Sequence, residues 1–257
     1  MGCVPAGVFL RGENGRHRAA RPQESVELDV YWMDRNEVTT AAYRECVRQK
    51  KCKKAGPNYS DFSAPQQPVT GVNWFHADAF CRAQGKHLPT EAEWEKAARG
   101  EKGAPFSWGN APATCKRAVL KNSRGRSCGK KKKGRSGKPE VGRPEKVGSK
   151  AAGVYGLFDM AGNSWEWVAD WSSSSYKTCG EACRGKNPKG PCAGRSPCKG
   201  HREKVVRGGS WYWPASYATA FRRRKHVPRN WPFHHFGFRC AANLAEARTL
   251  AKANLEE

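Results

Sequence analysis

The alternation of apolar and polar positions predicts several short strands rather than a few long ones. Residues 4–34 contain two alternating runs, VPAGVFLRG and VELDVYWMD, with the charged side chains on one face. Further short strands are expected around 205–213 and 236–242. Between the elements lie long stretches without periodicity, so the pattern indicates a loop-rich fold.

Helical spacing predicts three short helices and a helical tail. The first is expected over 39–49, after two threonines, and the second over 74–84. The third begins at Thr90, where Thr90 and Glu93 match a capping box. Residues 244–257 are polar with helical character and are expected to add little to the core.

Composition restricts the class of protein. A chain of 257 residues can bury one sizeable core. Its mean hydropathy is −0.83, and no run approaches the roughly 18 apolar residues of a transmembrane helix. Eleven cysteines favour an oxidising compartment, although the first residues do not resemble a signal peptide. We therefore expect an extracytoplasmic or secreted protein.

The cysteines allow several local pairings. Cys46 and Cys52 close a small loop and could pair, and so could Cys115 and Cys128. Four more lie in a cysteine-rich loop at about 172–204, namely Cys179, Cys183, Cys192 and Cys198. Their spacing lacks the C-x2-C pairs typical of zinc sites, which favours two disulfides of open connectivity over a zinc ion. An odd total leaves one cysteine unpaired, and Cys3 is the expected one.

The net charge of +24 is concentrated in a basic insertion at about 115–150. Residues 116–150 carry fourteen lysines and arginines against two glutamates. The insertion is either a solvated surface loop or a patch for an anionic ligand, such as a polysaccharide or lipid surface. Nucleic acid is disfavoured because no nucleic-acid-binding motif is present. A second basic stretch spans 222–229.

Four motifs, in order, carry a family resemblance: GKHLPTEAEWEKAARG, GLFDMAGNSWEWVADW, VVRGGSW and GFRCA. Together they resemble the formylglycine-generating enzyme, or sulfatase-modifying factor, family. The resemblance covers nearly the whole chain. It implies an α+β fold that is irregular, loop-rich, low in regular secondary structure and related to C-type lectins. It also implies a single domain over 1–243, followed by the tail at 244–257.

The resemblance implies particular bridges and a metal site. Cys81 and Cys240 occupy the positions of a family disulfide, whereas Ala98 and the Arg222–Arg224 run occupy those of a second, missing bridge. A family calcium site carries over to four residues of the GLFDMAGNSWEW segment. These are Asp159 and Glu166 through their side chains, and Gly162 and Ser164 through their carbonyl groups.

The same resemblance argues against the family's copper chemistry. Oxidising members hold Cu(I) with two thiolates, and alignment on the GGS motif places Trp213 and Ala218 at those positions. Ser210, Tyr217 and Trp165 persist at positions that line the family's pocket. Copper is therefore not expected, although a cleft can remain.

Two functions fit this pattern. The first is an accessory or ligand-binding module that takes a peptide or small molecule in a groove flanked by Arg222–Arg224. The aromatic residues expected along that groove are Trp211, Tyr212, Trp213, Tyr217, Trp231 and Phe233. The alternative is a non-copper oxidase or modifying enzyme of the same family that acts on a peptide or small molecule. His226, His234 and His235 lie near this segment, but no carboxylate follows at ligand spacing.

Overall fold

The computed structural model describes residues 1–57, 59–129, 131–133, 139–229 and 234–253. Their strands are β1 (Gly2–Val4), β2 (Gly7–Arg11), β3 (Glu24–Leu28), β4 (Tyr31–Met33), β5 (Lys131–Lys133), β6 (Pro139–Val141), β7 (Trp165–Trp171), β8 (Lys204–Arg207), β9 (Arg224–His226), β10 (Phe236–Gly237) and β11 (Ala241–Asn243). The helices are α1 (Thr40–Arg48), α2 (Trp74–Ala83), α3 (Glu91–Arg99), α4 (Tyr176–Cys179) and α5 (Leu244–Ala253). Short elements joined by long loops give the α+β, loop-rich fold that the sequence predicts.

The central sheet has the strand order β10-β7-β8-β9. Strand β7 runs antiparallel to β8 and parallel to the short β10. In a second sheet, β1-β4-β11, the first and the last of the described strands pair with opposite edges of β4. Two hairpins, β2-β3 and β5-β6, complete the described sheets.

Side chains cap the N-termini of the three predicted helices. The Thr39 hydroxyl accepts a hydrogen bond from the backbone of residue 42, which begins α1. Asn73 with His76, and Thr90 with Glu93, form complete capping boxes at α2 and α3. Each cap satisfies backbone N–H groups that have no partner within the helix. All three helix predictions are confirmed.

One strand prediction needs correction, and one strand was not predicted. The strand expected around 205–213 ends at Arg207, because Gly208 and Gly209 turn the chain at φ values of 92° and 79°. Strand β7 was missed because nearly all its side chains are buried on both faces, which removes the alternating pattern.

Helix α3 carries an unusual number of buried charges. Glu91, Glu95, Lys96 and Arg99 are each at most 4% exposed. Burial opposes ionisation of Glu95, yet Arg207 and Arg99 hold the pKa of its carboxyl at about 2. Glu95 accepts hydrogen bonds from both arginines at 2.6 and 2.7 Å. The Arg207 pair connects α3 to β8, and leaving the buried Glu95 without its partners would cost about 3–5 kcal/mol.

Five disulfides cross-link the chain. They join Cys46 to Cys52, Cys81 to Cys240, Cys115 to Cys128, Cys179 to Cys183, and Cys192 to Cys198. The three pairs expected from the sequence are all present. The cysteine-rich loop forms two local bridges, which resolves its connectivity and removes the thiolates that a zinc site would need. In the part of the chain that the structure describes, no helix has the length and apolar character needed to cross a membrane.

Candidate functional site

The tight turn at Gly208–Ser210 positions the segment after it. A Cβ atom on Gly209 would lie 2.9 Å from the carbonyl oxygen of Tyr217 and 3.0 Å from the Cα atom of Ala218. Only glycine permits this approach, since φ is also positive there. The Trp213 N–H then donates to the Ser210 carbonyl at 3.1 Å. The turn therefore holds residues 213–218 against the end of β8.

Aromatic rings and guanidinium groups stack above this turn. The ring centroids of Trp213 and Tyr217 are 4.8 Å apart. The guanidinium carbon of Arg224 lies 4.9 Å from the Trp213 ring and 5.6 Å from the buried Trp165 ring. That of Arg222 lies 4.4 Å from the Tyr217 ring. We call Trp165, Trp213, Tyr217, Arg222 and Arg224 the arginine–aromatic site.

The electrostatics of the arginine–aromatic site favour an electron-rich ligand. Within the described residues, neither Arg222 nor Arg224 forms an ion pair with a carboxylate. Burial, together with the neighbouring Arg222, lowers the pKa of Arg224. The buried indole N–H groups of Trp165 and Trp213 also have no acceptor among these residues. A carboxylate or other acceptor-rich group would satisfy unpaired donors and charge together.

Three other residues expected at the groove, Trp211, Ala218 and Ser210, are buried. Trp211 is wrongly predicted as a groove residue: it is 2% exposed and packs against Phe62, with ring centroids 5.4 Å apart. Ala218 is buried in a small apolar cluster, and Ser210 is buried with its hydroxyl near the Tyr212 N–H at 3.4 Å. Trp231 and Phe233 lie outside the described residues.

Arg223 points away from the arginine–aromatic site. Its guanidinium forms a two-pronged ion pair with Glu91 of α3, at 2.7 and 2.8 Å, and donates to the Ala19 carbonyl. The sequence groups the three consecutive arginines together, but in the structure Arg223, just before β9, is buried, whereas Arg222 and Arg224 are half-buried. The Arg222–Arg224 run and Ala98 of α3 occupy the two positions of the family bridge that is missing here. The ion pair between Arg223 and Glu91 therefore links the same two segments.

No pair of thiols is available at this site. All eleven cysteines lie in the described part of the chain; ten form disulfides, and Cys3 is exposed on β1. Among the described residues there is also no group of three or more His, Cys, Asp or Glu side chains arranged to hold a metal ion. Any metal here would depend on backbone carbonyl oxygens as well.

A buried acidic cluster occupies the segment expected to bind calcium. Both carboxylate oxygens of Glu166 accept from Arg239, at 2.7 and 2.8 Å, and one also accepts from Trp94 Nε1. Asp159, held at a φ of 55°, accepts from the Gly148 N–H at 2.7 Å. Burial raises the pKa of Asp159 to about 6, and the nearby Glu166 adds to this shift.

Glu37 belongs to the same cluster, but the sequence analysis did not identify it as a site residue. Burial, followed by the charges of Asp159 and Glu166, raises the pKa of Glu37 well above its usual value. One oxygen accepts from Asn163, whereas the other has no hydrogen-bond partner. Glu37 lies more than a hundred residues away along the chain, in the turn before α1, so spacing could not have revealed it.

Comparison with known proteins identifies the family. A model of the family described as "Sulfatase-modifying factor enzyme 1-like domain" matches residues 1–244. This chain belongs to that family. Among the relatives of this sulfatase-modifying factor domain, the formylglycine-generating enzyme of Thermomonospora curvata is 34% identical over 73% of the chain and 59% of its own length. The Bos taurus enzyme is 27% identical over 93% of the chain and 74% of its own length.

Two further comparisons bear on activity and fold. A Mus musculus relative named "Inactive C-alpha-formylglycine-generating enzyme 2" is 31% identical over 89% of the chain and 63% of its own length. The solved structure of PvdO from Pseudomonas aeruginosa superposes with a TM-score of 0.71, at 22% identity over 94% of this chain and 93% of that one. The sulfatase-modifying factor domain described here therefore has the fold of a family whose named members include an inactive one.

Proposed function

We propose that this chain is a ligand-binding or accessory module of the sulfatase-modifying factor family and does not carry out copper-dependent cysteine oxidation. One observation carries the proposal: the segment after the GGS turn presents stacked rings beside two arginines that have no carboxylate partner among the described residues, while every cysteine but Cys3 forms a disulfide. Cu(I) prefers soft sulfur ligands, which Trp213 and Ala218 do not provide. The inactive mouse relative is a precedent within the family.

The ligand that suits the arginine–aromatic site is an anionic peptide or small molecule. Its acidic group would pair with Arg224 and Arg222, and its flat or apolar part would lie on the rings of Trp213 and Tyr217. These contacts position and hold a ligand. The proposal assigns binding to them and no chemical step.

Two measurements test this function. The first is Cu(I) competition with a chromogenic chelator, followed by oxygen uptake with a cysteine-containing peptide. We expect neither tight copper binding nor oxygen uptake, with the Thermomonospora curvata enzyme as positive control and Cys3→Ser to remove the surface thiol. Oxygen uptake that survives in Cys3→Ser would overturn the proposal.

The second measurement is calorimetric titration with a tetraglutamate peptide. Arg224→Ala should weaken binding about tenfold, since hydrogen bonds to a charged group contribute roughly 1.5–3 kcal/mol. Lys225→Ala is the matched control, because Lys225 is exposed and already paired with Glu203 at 2.6 Å. Equal losses in the two variants would show that only net charge matters.

The basic insertion offers a different surface, for an anionic polysaccharide. Binding of heparin through this charge should fall steeply between low and moderate salt and should be lost when residues 129–139 are removed. Ligand binding at the arginine–aromatic site should survive the same deletion. The two surfaces can therefore be separated in one set of titrations.

We also propose a calcium ion at the acidic cluster. Asp159 and Glu37 bring two buried carboxylates that are not fully matched by cations, and one oxygen of Glu37 has no partner. Glu166 is already paired with Arg239, so Asp159, Glu37 and the carbonyls of Gly162 and Ser164 are the better candidates. Calcium here would neutralise charge and fix the loop before β7.

The test of this site is thermal unfolding with and without calcium. Calcium should raise the melting temperature of the native protein. Asp159→Asn should abolish that rise, whereas the exposed Asp29→Asn should not.

We further propose that the protein resides in an oxidising, extracytoplasmic compartment. Five disulfides support this location, because such bridges persist where thiols are not kept reduced. Counting free thiols in protein freshly isolated from its natural source tests it: one thiol per chain is expected, and substantially more would contradict the proposal.

A further inference from the structure

A cavity lies between helices α1 and α2, away from the arginine–aromatic site. Its volume is about 490 Å³, which is the size of small-molecule sites in proteins. It shares no lining residue with the arginine–aromatic site. Its walls come from α1, the segment 54–57, residues 69–73 and the start of α2. Nothing in the proposed function uses it.

The apolar walls of this cavity are fixed in place. Tyr43, Val47 and Val69 belong to or pack on one core cluster. The opposite wall, at 54–57, follows the Cys46–Cys52 disulfide, and the Tyr43 hydroxyl donates to the carbonyl of Lys53 at 2.9 Å. The cavity is therefore largely preformed, which lowers the entropy lost on binding.

A glycine lets the two sides of the cavity meet. Gly71 has a φ of 72°, and a Cβ atom there would lie 2.7 Å from the carbonyl carbon of Gly56 and 2.8 Å from the nitrogen of Pro57. Any larger residue would push the 54–57 segment outward. These two lining segments are therefore in direct contact at the wall of the cavity.

The charged groups that the described lining residues bring to the cavity are cationic. Arg44 and Lys54 are exposed lining residues, and among the described residues neither forms an ion pair with a carboxylate. Among the residues that the structure describes, no Asp or Glu lines the cavity. Burial, with the charge of Lys53, lowers the pKa of His76, so its ring is neutral near pH 7. Its Nδ1 accepts from the Asn73 N–H, which leaves Nε2 as a hydrogen-bond donor.

We propose that this cavity binds a small amphiphilic anion, with its apolar body between α1 and α2 and its carboxylate, sulfonate or phosphate head at Arg44, Lys54 and His76. The apolar walls would exclude water from the body of the ligand, and the two cations would select the sign of its head group. The site is independent of the arginine–aromatic site and does not rest on the proposed function.

Calorimetry with matched C8 probes tests the inference. Octanoate should bind the native protein saturably at one site per chain, octan-1-ol should bind more weakly, and octylammonium should not bind. Arg44→Ala and Lys54→Ala should each weaken octanoate binding about fivefold, as expected for partly exposed charge pairs. Lys51→Ala, an exposed lysine that does not line the cavity, is the control and should bind like wild type.

Ala55→Trp provides a steric test. Ala55 is a half-buried lining residue, so an indole there should fill the cavity and abolish octanoate binding in a chain that still folds by circular dichroism. The inference is overturned if octanoate does not bind, if octylammonium binds equally, or if Lys51→Ala loses as much affinity as Lys54→Ala. It is also overturned if Arg224→Ala removes octanoate binding, because the anion would then occupy the arginine–aromatic site.

Discussion

The ion pair between Arg223 and Glu91 is the sharpest test of how this fold is held together. Arg223 is 8% exposed, forms two hydrogen bonds to Glu91 and one to the Ala19 carbonyl, and its guanidinium carbon lies 4.3 Å from the Tyr176 ring centroid. Arg223→Ala removes all of these contacts. It leaves the carboxylate of Glu91 buried with Arg207, at 3.0 Å, as its remaining charged partner.

The expected loss follows from that geometry. Removing one partner of a buried ion pair costs about 3–5 kcal/mol. Because Arg207 still compensates Glu91, the lower end applies, so we expect the free energy of unfolding to fall by about 3 kcal/mol. For a domain of this size, that corresponds to a melting temperature about 6–12 °C lower. Arg223→Lys should lower the free energy of unfolding by less than Arg223→Ala does, because lysine keeps the charge but cannot form the two-pronged ion pair with Glu91.

The assay is equilibrium unfolding in urea with all disulfides intact. Arg222→Ala is the matched control. Arg222 is half-buried and contacts the Tyr217 ring and the His17 side chain, but it has no carboxylate partner among the described residues, so a loss of about 0.5–1 kcal/mol is expected. If Arg223→Ala loses no more stability than Arg222→Ala, the ion pair does not hold α3 to the chain before β9. The reasoning about the missing bridge would then be refuted.

Three further predictions test other parts of the structure. Gly209→Ala should destabilise the protein by about 1–3 kcal/mol in the same assay and lower tetraglutamate affinity, whereas Gly180→Ala, which has a similar φ but open space around its Cβ, should cost less and leave affinity unchanged. Replacing Cys81 and Cys240 together by alanine should cost about 4–5 kcal/mol, because that bridge spans 159 residues; a loss below about 1 kcal/mol would show that the open chain is already constrained. Although burial opposes protonation, two glutamates raise the pKa of His87 from 6.5 to about 9. Its stabilising contribution should therefore be complete below pH 6.5 and lost as the pH rises through about 9, and a His87→Gln variant should lose this part of the pH dependence of the urea midpoint.

Local signals predicted the helices because each signal lies within a few residues. Thr90 and Glu93 form a capping box through their own side chains and backbone, so the sequence alone fixes the start of α3. The turn at Gly208 was less visible, since the apolar residues after it continue to resemble a strand. Strand β7 carries no alternation because both its faces are buried.

The candidate site was predicted in part. Trp165, Trp213 and Tyr217 were identified from the resemblance, and the structure brings them together with Arg222 and Arg224. The sequence did not show that these rings stack on the guanidinium groups. That arrangement depends on β9 pairing with β8, which is a contact between segments distant along the chain.

The sequence by itself determined the family, the helix boundaries, the absence of cysteine at Trp213 and Ala218, and the basic character of the chain. Only the tertiary structure decided that Arg223 turns inward to Glu91, that Glu37 joins the acidic cluster, and that Trp211 is part of the core. The physical reason is that caps and composition act over a few residues, whereas burial and charge pairing act through space. Two side chains more than a hundred residues apart acquire a shared function only when the fold brings them into contact.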